Sequence, residues 1–343
     1  MPAPHSPTKG RVVSFVVAET AQSLDGPAAA SPRGLRSAPK YPAFIPALAV
    51  LATRREALDG GPVDLLVKAV PPRTLIVEAT AEVEDIFHEA VLDRKAALLA
   101  AARRVLVEYR CRPDFDEEYT VYCVAGYGGD AETFLALHGG TVAGFLKNEK
   151  IPLDEGTVEA TLKSSIKYAR HDLAVVDWDG AFLFDPYGDF ESTIELFEIA
   201  NLQLLRCRIL DSALDQRLER VAGLLGAPEQ RILLRAREVR GVLREIMRQR
   251  SQSILEFQAI EKNIKLIGDW YSADLYDLIV TKFHLRTWQR NIKEKLDALE
   301  DIYTMTSENF TLSFSSTVDL IQAAGWFLLL LGYFVLFFLE FSR

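Results

Sequence analysis

The chain has 343 residues, with 39 basic and 48 acidic side chains and a formal net charge of −9 at pH 7. This length accommodates one large or two small domains. The negative charge argues against nucleic-acid binding by the whole protein, although it leaves room for a local basic patch. The three cysteines have no CxxC spacing, which indicates free thiols in a reducing compartment instead of a disulfide framework or a zinc site.

The first forty residues are rich in Pro, Ala, Ser and Gly. Such a composition is typical of linkers and poorly ordered segments. We therefore predict that residues 1–40 are partly disordered, apart from a strand-like apolar run at 11–18.

Residues 41–190 alternate between strand-like apolar runs and helical patterns, which predicts an α+β soluble domain. Helices are expected at 84–103 and 131–148. The expected strands lie at 65–70, 74–78, 105–109, 119–125, 165–169, 173–178 and 181–185. The last three predict a β-meander, in which Asp179-Gly180 is a hairpin turn between two apolar runs.

From residue 191 to 317, apolar residues recur at spacings of three and four, which predicts a helical stalk. A break near 268–274 indicates an antiparallel helical hairpin or a coiled coil. One apolar stripe consists of Leu285, Trp288, Ile292, Leu296 and Leu299. Soluble proteins rarely expose so large an apolar stripe to water. The stripe must therefore be buried against its own chain or against another subunit. We expect the second arrangement, a homo-oligomer.

The segment from Leu320 to Leu339 is apolar apart from Gln322, and as a helix it matches a hydrocarbon core of about 30 Å. We therefore predict a C-terminal transmembrane tail anchor at 318–343. The Lys and Arg residues before it predict a cytoplasmic N-terminal domain. The expected fold class is α+β: a mixed α/β N-terminal domain with a β-meander, then a helical or coiled-coil region, then one transmembrane helix. The expected location is the bacterial inner membrane or, in a eukaryote, the mitochondrial inner membrane.

A glycine-rich segment from Gly126 to Ala131 follows a predicted strand and precedes a predicted helix. Its spacing fits the GxGxxG/A loops that place a pyrophosphate on a helix N-terminus. A dinucleotide fold also needs a second strand that ends in an acid about 20 residues later. The sequence at 148–155 contains no apolar strand, so a flexible turn is the preferred interpretation. Gly126 and Gly128 stay as weak candidates for cofactor binding.

Four aspartates, at 177, 179, 185 and 189, form an acidic cluster in the sequence. Several carboxylates together could hold Mg²⁺ or Ca²⁺. Their spacing does not match an EF-hand loop, and Asp-Gly and Asp-Pro are ordinary turn sequences. Asp177 and Asp179 are thus only weak candidates for a ligand site. Since the chain also lacks HExxH, GxSxG and Walker A motifs, we predict no catalytic residue, metal or cofactor, and we consider an enzyme the less favoured class.

An arginine-rich helix face is predicted before the expected hairpin break, and it consists of Arg237, Arg240, Arg244 and Arg248. Such a stripe could contact phosphates on RNA, on the ribosome or on anionic lipid. The alternative is a solvated face that pairs with acids of a neighbouring helix, such as Glu294 or Glu300. We prefer this alternative, since charge runs usually lie on solvated faces.

The order of three sequence blocks resembles a known family. The meander LAVVDWDGAFLFD is followed by FEIANLQLLRCRILDSALDQRLE, and then by WYSADLYDLIVTKFHLRTWQRNIKEKLDALEDIY and a terminal apolar helix. Across residues 105–340 this arrangement is similar to the required-for-meiotic-nuclear-division family, a domain of unknown function, and most similar to its bacterial-type members. The resemblance implies a membrane-tethered homo-oligomer of the mitochondrial inner membrane in eukaryotes that supports translation. It carries over no catalytic residue.

These observations together predict a non-enzymatic, membrane-tethered scaffold or assembly factor that self-associates through its helical stalk and is linked to translation. The alternative is an enzyme or sensor that binds a ligand or nucleotide. Such a protein would use the loop from Gly126 to Ala131 or the hairpin with Asp177 and Asp179.

Overall fold

The structure is a computed structural model. It describes residues 8–22, 24, 48–225 and 270–341, together with 241, 244, 245, 247, 248, 251, 254, 255 and 258. The chain divides into two compact units. The first comprises residues 1–211 and 253–290, and the second comprises 212–252 and 291–343.

Eight strands of the described residues form one sheet in the first unit. Their bounds are β1 Gly10–Thr20, β2 Ala49–Leu58, β3 Gly61–Val70, β4 Thr74–Val83, β5 Cys111–Val124, β6 Ser165–Ile166, β7 Leu173–Val176 and β8 Gly180–Phe184. The strand order across the sheet is β2-β3-β4-β1-β5-β8-β7-β6. The described helices are α1 Ala90–Glu108, α2 Ala131–Leu146, α3 Glu155–Leu162, α4 Glu191–Leu225, α5 Trp270–Lys282 and α6 Leu285–Phe341.

The strand-like run predicted at 11–18 is β1, which lies near the centre of the sheet between β4 and β5. Its side chains are buried on both faces, because Val12 and Val16 belong to one hydrophobic cluster while Val13 and Phe15 belong to the other. A strand covered on both faces reads as a near-continuous apolar run instead of an alternating one. This explains why its sequence stands out within an otherwise linker-like segment.

Helices cover both faces of the sheet. On one face α1 and α2 contribute residues such as Leu98 and Val142 to the first cluster. On the other face α4, α5 and the first residue of α6 contribute Phe197, Ile279 and Leu285 to the second cluster. The mixed sheet is thus the middle layer, and groups at its ends lie within reach of helices from both outer layers.

The predicted meander is present as β6, β7 and β8, which pair antiparallel in that order. β8 then lies parallel to β5, with Thr120 opposite Gly180 and Val124 opposite Phe184. The connection between these two strands runs through α2, α3 and the other meander strands. Since parallel strands end at the same sheet edge, the loops after β5 and β8 lie side by side.

The strand predicted at 105–109 is wrong, because these residues continue α1 to Glu108. Val105 and Leu106 are buried on the same helix as Leu98 and Ala102, so the apolar face of α1 extends over them. Packing against the sheet therefore decides the structure of this short apolar run.

The prediction of a C-terminal transmembrane helix is also corrected. A span needs about 20 consecutive, predominantly apolar residues to match the hydrocarbon core. Among the helices of the described residues, none is both long enough and apolar enough to meet this condition. The predicted tail anchor at 318–343, the transmembrane part of the fold class and the location as a single-pass inner-membrane protein are therefore wrong. Residues 318–341 lie in α6, which runs without interruption from Leu285.

Candidate functional site

The two weak candidate sites predicted from the sequence lie at opposite ends of the β5–β8 pair. The glycine-rich loop follows Val124 at the carboxyl end of β5, whereas the turn with Asp177 and Asp179 precedes Gly180 at the amino end of β8. The acidic cluster is divided in the same way, since Asp185 directly follows β8. The structure therefore shows two separate groups of polar residues.

The glycine-rich loop is held by contacts within the protein. The Tyr127 hydroxyl donates to the carbonyl of His171, and His171 Nδ1 lies 2.8 Å from the carbonyl oxygen of Gly129. Gly126 and Gly129 adopt positive φ angles of 69° and 98°, where glycine is favoured. The predicted strand–turn–helix order is thus present.

The helix N-terminus after this loop is occupied by a carboxylate. Asp130 caps α2 by accepting a hydrogen bond from the backbone N–H of Glu132, and its side chain also pairs with Lys167 at 3.1 Å. A phosphate at a helix N-terminus uses the same backbone donors. A pyrophosphate here would therefore compete with Asp130 for a backbone donor, and the role of the loop stays a prediction.

The hairpin residue Asp177 is an ionic link at the other end of β8. Its carboxylate is only 4% exposed and lies 2.6 Å from Lys147 Nζ and 3.5 Å from Lys282 Nζ. Lys147 follows α2 and Lys282 ends α5, so the two lysines come from opposite outer layers. The Tyr119 hydroxyl also donates to the Asp177 carbonyl at 3.0 Å. The Asp177 carboxylate therefore forms ion pairs with lysines of both outer layers.

Asp179 has a different environment on the same turn. Its side chain makes no ion pair within 4.0 Å with any described residue. Partial burial raises the pKa of Asp179, while Lys95 opposes this rise and Asp177 adds to it. The charges around Asp179 thus act through space without direct contact.

Lys95 was missed in the sequence and lies near Asp179. It is a residue of α1 that is only 6% exposed, and its Nζ donates to Asn148 Oδ1 at 3.2 Å. Burial lowers the pKa of Lys95, and the charges of Asp179 and Glu118 oppose this effect. A signal existed in the sequence, because Lys95 falls four residues after Val91 on the apolar face of α1.

Tyr122 was also missed, since it looked like an ordinary strand residue. Its ring packs against Phe145 and Phe182, with centroid separations of 5.6 and 4.7 Å. Its hydroxyl is buried and has no hydrogen-bond partner among the residues that the structure describes. Burial raises the pKa of Tyr122, and the charge of Asp179 adds to this rise.

A third polar group is buried between the sheet and α4. Lys68 Nζ lies 2.7 and 2.8 Å from the two carboxylate oxygens of Glu198, and 2.9 Å from Glu78. Burial raises the pKa of Glu198 to about 7, and the charge of Lys68 opposes this rise. Burial alone would lower the pKa of Lys68, but Glu198 and Glu78 outweigh it and raise the pKa. Lys68, Glu78 and Glu198 therefore form an ion-paired cluster between the sheet and α4. The Lys68 ammonium makes these contacts with carboxylates of the same chain.

Within the described residues there is no group of three or more His, Cys, Asp or Glu side chains that could hold a metal ion.

The arginine stripe is only partly described. Arg237 and Arg240 lie outside the described residues, whereas Arg244 and Arg248 are exposed. Arg248 donates to Glu245 on the same helix through two hydrogen bonds, of 3.2 and 3.1 Å. Contact of this stripe with RNA, a ribosome or anionic lipid stays a prediction.

The apolar stripe at the start of α6 is buried within a single chain. In the first unit Leu285 is fully buried, and Trp288 packs on the second cluster. In the second unit Ile292, Leu296 and Leu299 are buried. Lys295 forms an ion pair with Asp215 of α4 at 2.6 Å, which brings these two helices of the second unit together.

Farther along α6, large apolar side chains are exposed between 52% and 71%. This apolar segment consists of Trp326, Phe327, Leu328, Leu329, Leu330, Leu331, Tyr333 and Val335. Six of these residues are consecutive and therefore point to every side of the helix. At Gly325 and Gly332, no atom lies within 4 Å of the position that a Cβ would take.

Comparisons with known proteins find a family model that matches part of the first unit and a similar uncharacterised protein. Residues 64–191, from β3 to the first residue of α4, match a family model described as "Uncharacterized protein MJ0711, N-terminal domain". The chain is 28% identical over 239 residues to the uncharacterized protein MJ0711 of Methanocaldococcus jannaschii, which covers 70% of this chain and 72% of that protein. No solved structure matches. The matches support similarity to an uncharacterised family, and neither description names an activity.

Proposed function

We propose that the protein is a non-enzymatic scaffold that self-associates through the apolar segment of α6. The supporting observation is the exposure of consecutive large apolar side chains from Trp326 to Leu331 in the single chain. Contiguous apolar surface of this kind marks an interaction site, because soluble surfaces rarely expose it. A helix that is apolar on all sides needs cover on all sides.

A second copy of the chain can bury the apolar segment of α6, because its own apolar segment has the same shape and chemistry. Gly325 and Gly332 are seven residues apart, so they lie on the same helix face after about two turns. Both positions are open, and small residues allow two helix backbones to approach closely. The identical segment of another chain can therefore pack against this face, and the segments of further chains can cover the remaining sides.

The earlier part of α6 has a different role in this proposal. Leu296 and Leu299 are already buried in one chain, so their burial needs no partner. They support the helix from which the apolar segment extends. The proposed interface is thus the apolar segment, whereas Ile292, Leu296 and Leu299 are buried within the second unit itself.

The order of sequence blocks supports a finer proposal, that the chain is a remote member of the required-for-meiotic-nuclear-division family. A link to translation follows from that resemblance. Exposed arginines such as Arg244 are the candidate contact for ribosomal RNA, because guanidinium groups recognise phosphates.

The test is the oligomeric state of the full chain, measured by light scattering coupled to size-exclusion chromatography. We expect the wild-type protein to be an oligomer and the double variant Leu328→Glu, Leu331→Glu to be a monomer, because charges in the interface are costly. The matched control is Leu137→Glu, which places a carboxylate at an exposed leucine of α2 and leaves the assembly intact.

A wild-type chain that stays monomeric at every concentration contradicts the proposal. Flotation of the wild-type protein with phosphatidylcholine vesicles, without self-association in their absence, also contradicts it, since lipid would then be the cover of the apolar segment.

A further inference from the structure

The amino end of β8 brings together polar groups from four elements of the first unit. Lys95 comes from α1, Tyr122 from β5, Asn148 from the residues after α2, and Asp179 from the turn before β8. Tyr122 lies on the face of the sheet that α1 and α2 cover, and Lys95 is a buried residue of α1. The self-association proposed above does not involve any of them.

Two hydrogen-bond donors in this group have unused capacity. A lysine ammonium carries three N–H donors, and Lys95 uses one of them on Asn148 among the described residues. The Tyr122 hydroxyl has no partner among those residues. Buried lysines and buried hydroxyls are nearly always paired, because losing water without a new partner costs free energy. These donors therefore need a hydrogen-bond acceptor.

The neighbouring charges leave Lys95 without a direct counter-ion. Asp177 is shared between Lys147 and Lys282, and Glu118 pairs with Arg103. Asp179 is close enough to influence Lys95 through space, but the two make no ion pair within 4.0 Å. Lys95 and Lys147 offset the charges of Asp177 and Asp179 here, whereas Lys282 reaches Asp177 from the opposite outer layer.

We propose that Lys95 and Tyr122 bind a small oxyanion, either a carboxylate or a phosphate group, at the amino end of β8. Both groups donate hydrogen bonds, and an ammonium repels metal cations, so the ligand must be an acceptor with negative charge. Asp179 is the repulsive neighbour that limits the affinity. The ligand must be small, because Lys95 and Tyr122 are both buried.

The test is isothermal titration calorimetry of the full chain with sodium phosphate and, separately, sodium acetate, against sodium chloride at equal ionic strength. We expect saturable binding of at least one oxyanion and none of chloride. Phosphate alone would identify a phosphoryl group as the ligand, and acetate alone a carboxylate. Saturation by neither anion overturns the proposal.

Three variants locate the binding. Lys95→Met should abolish it, and Tyr122→Phe should weaken it about tenfold through loss of one hydrogen bond to a charged ligand. Asp179→Asn should tighten binding several-fold, because it removes a negative charge beside the anion. The matched control Lys163→Met removes an exposed lysine that pairs with Glu159, and should leave binding unchanged.

Binding that survives Lys95→Met at wild-type affinity overturns the proposal. If Lys95→Met does not fold, the other two variants decide, because the proposal requires them to shift the affinity in opposite directions. A weaker affinity in Asp179→Asn would show that the carboxylate is a ligand contact and would overturn the assignment of an oxyanion. The oligomeric state is measured separately, so failure here is distinct from failure of the scaffold proposal.

Discussion

At the scale of single residues, Glu198 gives the protein an unusual dependence of stability on pH. Burial raises its pKa to about 7 from the ordinary 4.5. The folded state therefore keeps a proton that the unfolded state has already lost. By linkage, the stabilisation is complete below about pH 4.5 and is lost as the pH rises through about 7.

We predict that the free energy of unfolding contributed by this group falls between pH 5 and pH 8, and that Glu198→Gln removes this part of the fall. The measurement is urea unfolding at several pH values, comparing the slope against pH for the variant and the wild type. Exposed Glu159→Gln is the control, since it removes a solvated carboxylate. An identical slope in wild type and Glu198→Gln would refute the prediction.

The residues of the candidate oxyanion site show which parts of a site can be predicted from sequence alone. Asp179 was found from the sequence because Asp-Gly is a local turn signal. Lys95 and Tyr122 were not found, because their significance depends on neighbours from other elements. The same holds for Lys68 and Glu198, which are 130 positions apart in the chain. Local patterns cannot predict such distant partners.

At the scale of elements, the turn before β8 depends on a glycine with no room for a side chain. A Cβ at Gly180 would lie 2.7 Å from the Thr120 carbonyl oxygen on the parallel partner strand. Real Cβ atoms do not approach a backbone oxygen so closely, so β5 and β8 would have to separate locally. The sequence identified this glycine as part of a hairpin turn, whereas the structure adds a close approach to β5.

We predict that Gly180→Ala destabilises the protein by about 1–3 kcal/mol, the usual cost of overpacking. Gly128→Ala is the matched control, because a Cβ there has no atom within 4 Å. Urea unfolding of both variants gives the comparison. Equal midpoints for the two variants would contradict the close approach of β5 and β8.

Helices and strands were predicted correctly where a local sequence pattern determines the structure. They were predicted wrongly where packing against the rest of the protein determines it. The meander was found because two apolar runs flank a tight turn at Asp179-Gly180. β2 was missed, because its residue types do not alternate between apolar and polar and it lies at the edge of the sheet, where most of its side chains are partly or fully exposed. The end of α1 was mistaken for a strand, since a short apolar run fits both structures.

At the scale of the whole molecule, β1 is the element on which the sheet depends most. It pairs with β4 on one side and β5 on the other, over nearly its full length. Its side chains also contribute to both hydrophobic clusters. The Pro, Ala, Ser and Gly content of residues 1–40 predicted partial disorder, apart from the strand-like run at 11–18 that forms β1.

We predict that deletion of residues 1–20 abolishes cooperative unfolding of the first unit, because β4 and β5 both lose their ladder partner. A synthetic peptide of residues 8–22 added in trans should restore it by strand addition. A scrambled peptide of equal composition is the control. The measurement is urea unfolding followed by far-ultraviolet circular dichroism, and a truncated chain with the wild-type midpoint would refute the prediction.

The position of β1 also has a consequence during synthesis on the ribosome. β1 is made first, but its partner β5 ends at Val124, about a hundred residues later. At about 5–20 residues per second, the nascent chain waits roughly 5–20 s before this ladder can form. Both edges of this apolar strand are open until β4 is made, and one edge stays open until β5 is made, which favours pairing with the wrong chain. Early protection of β1 by a chaperone would then decide how much of the protein reaches its folded state.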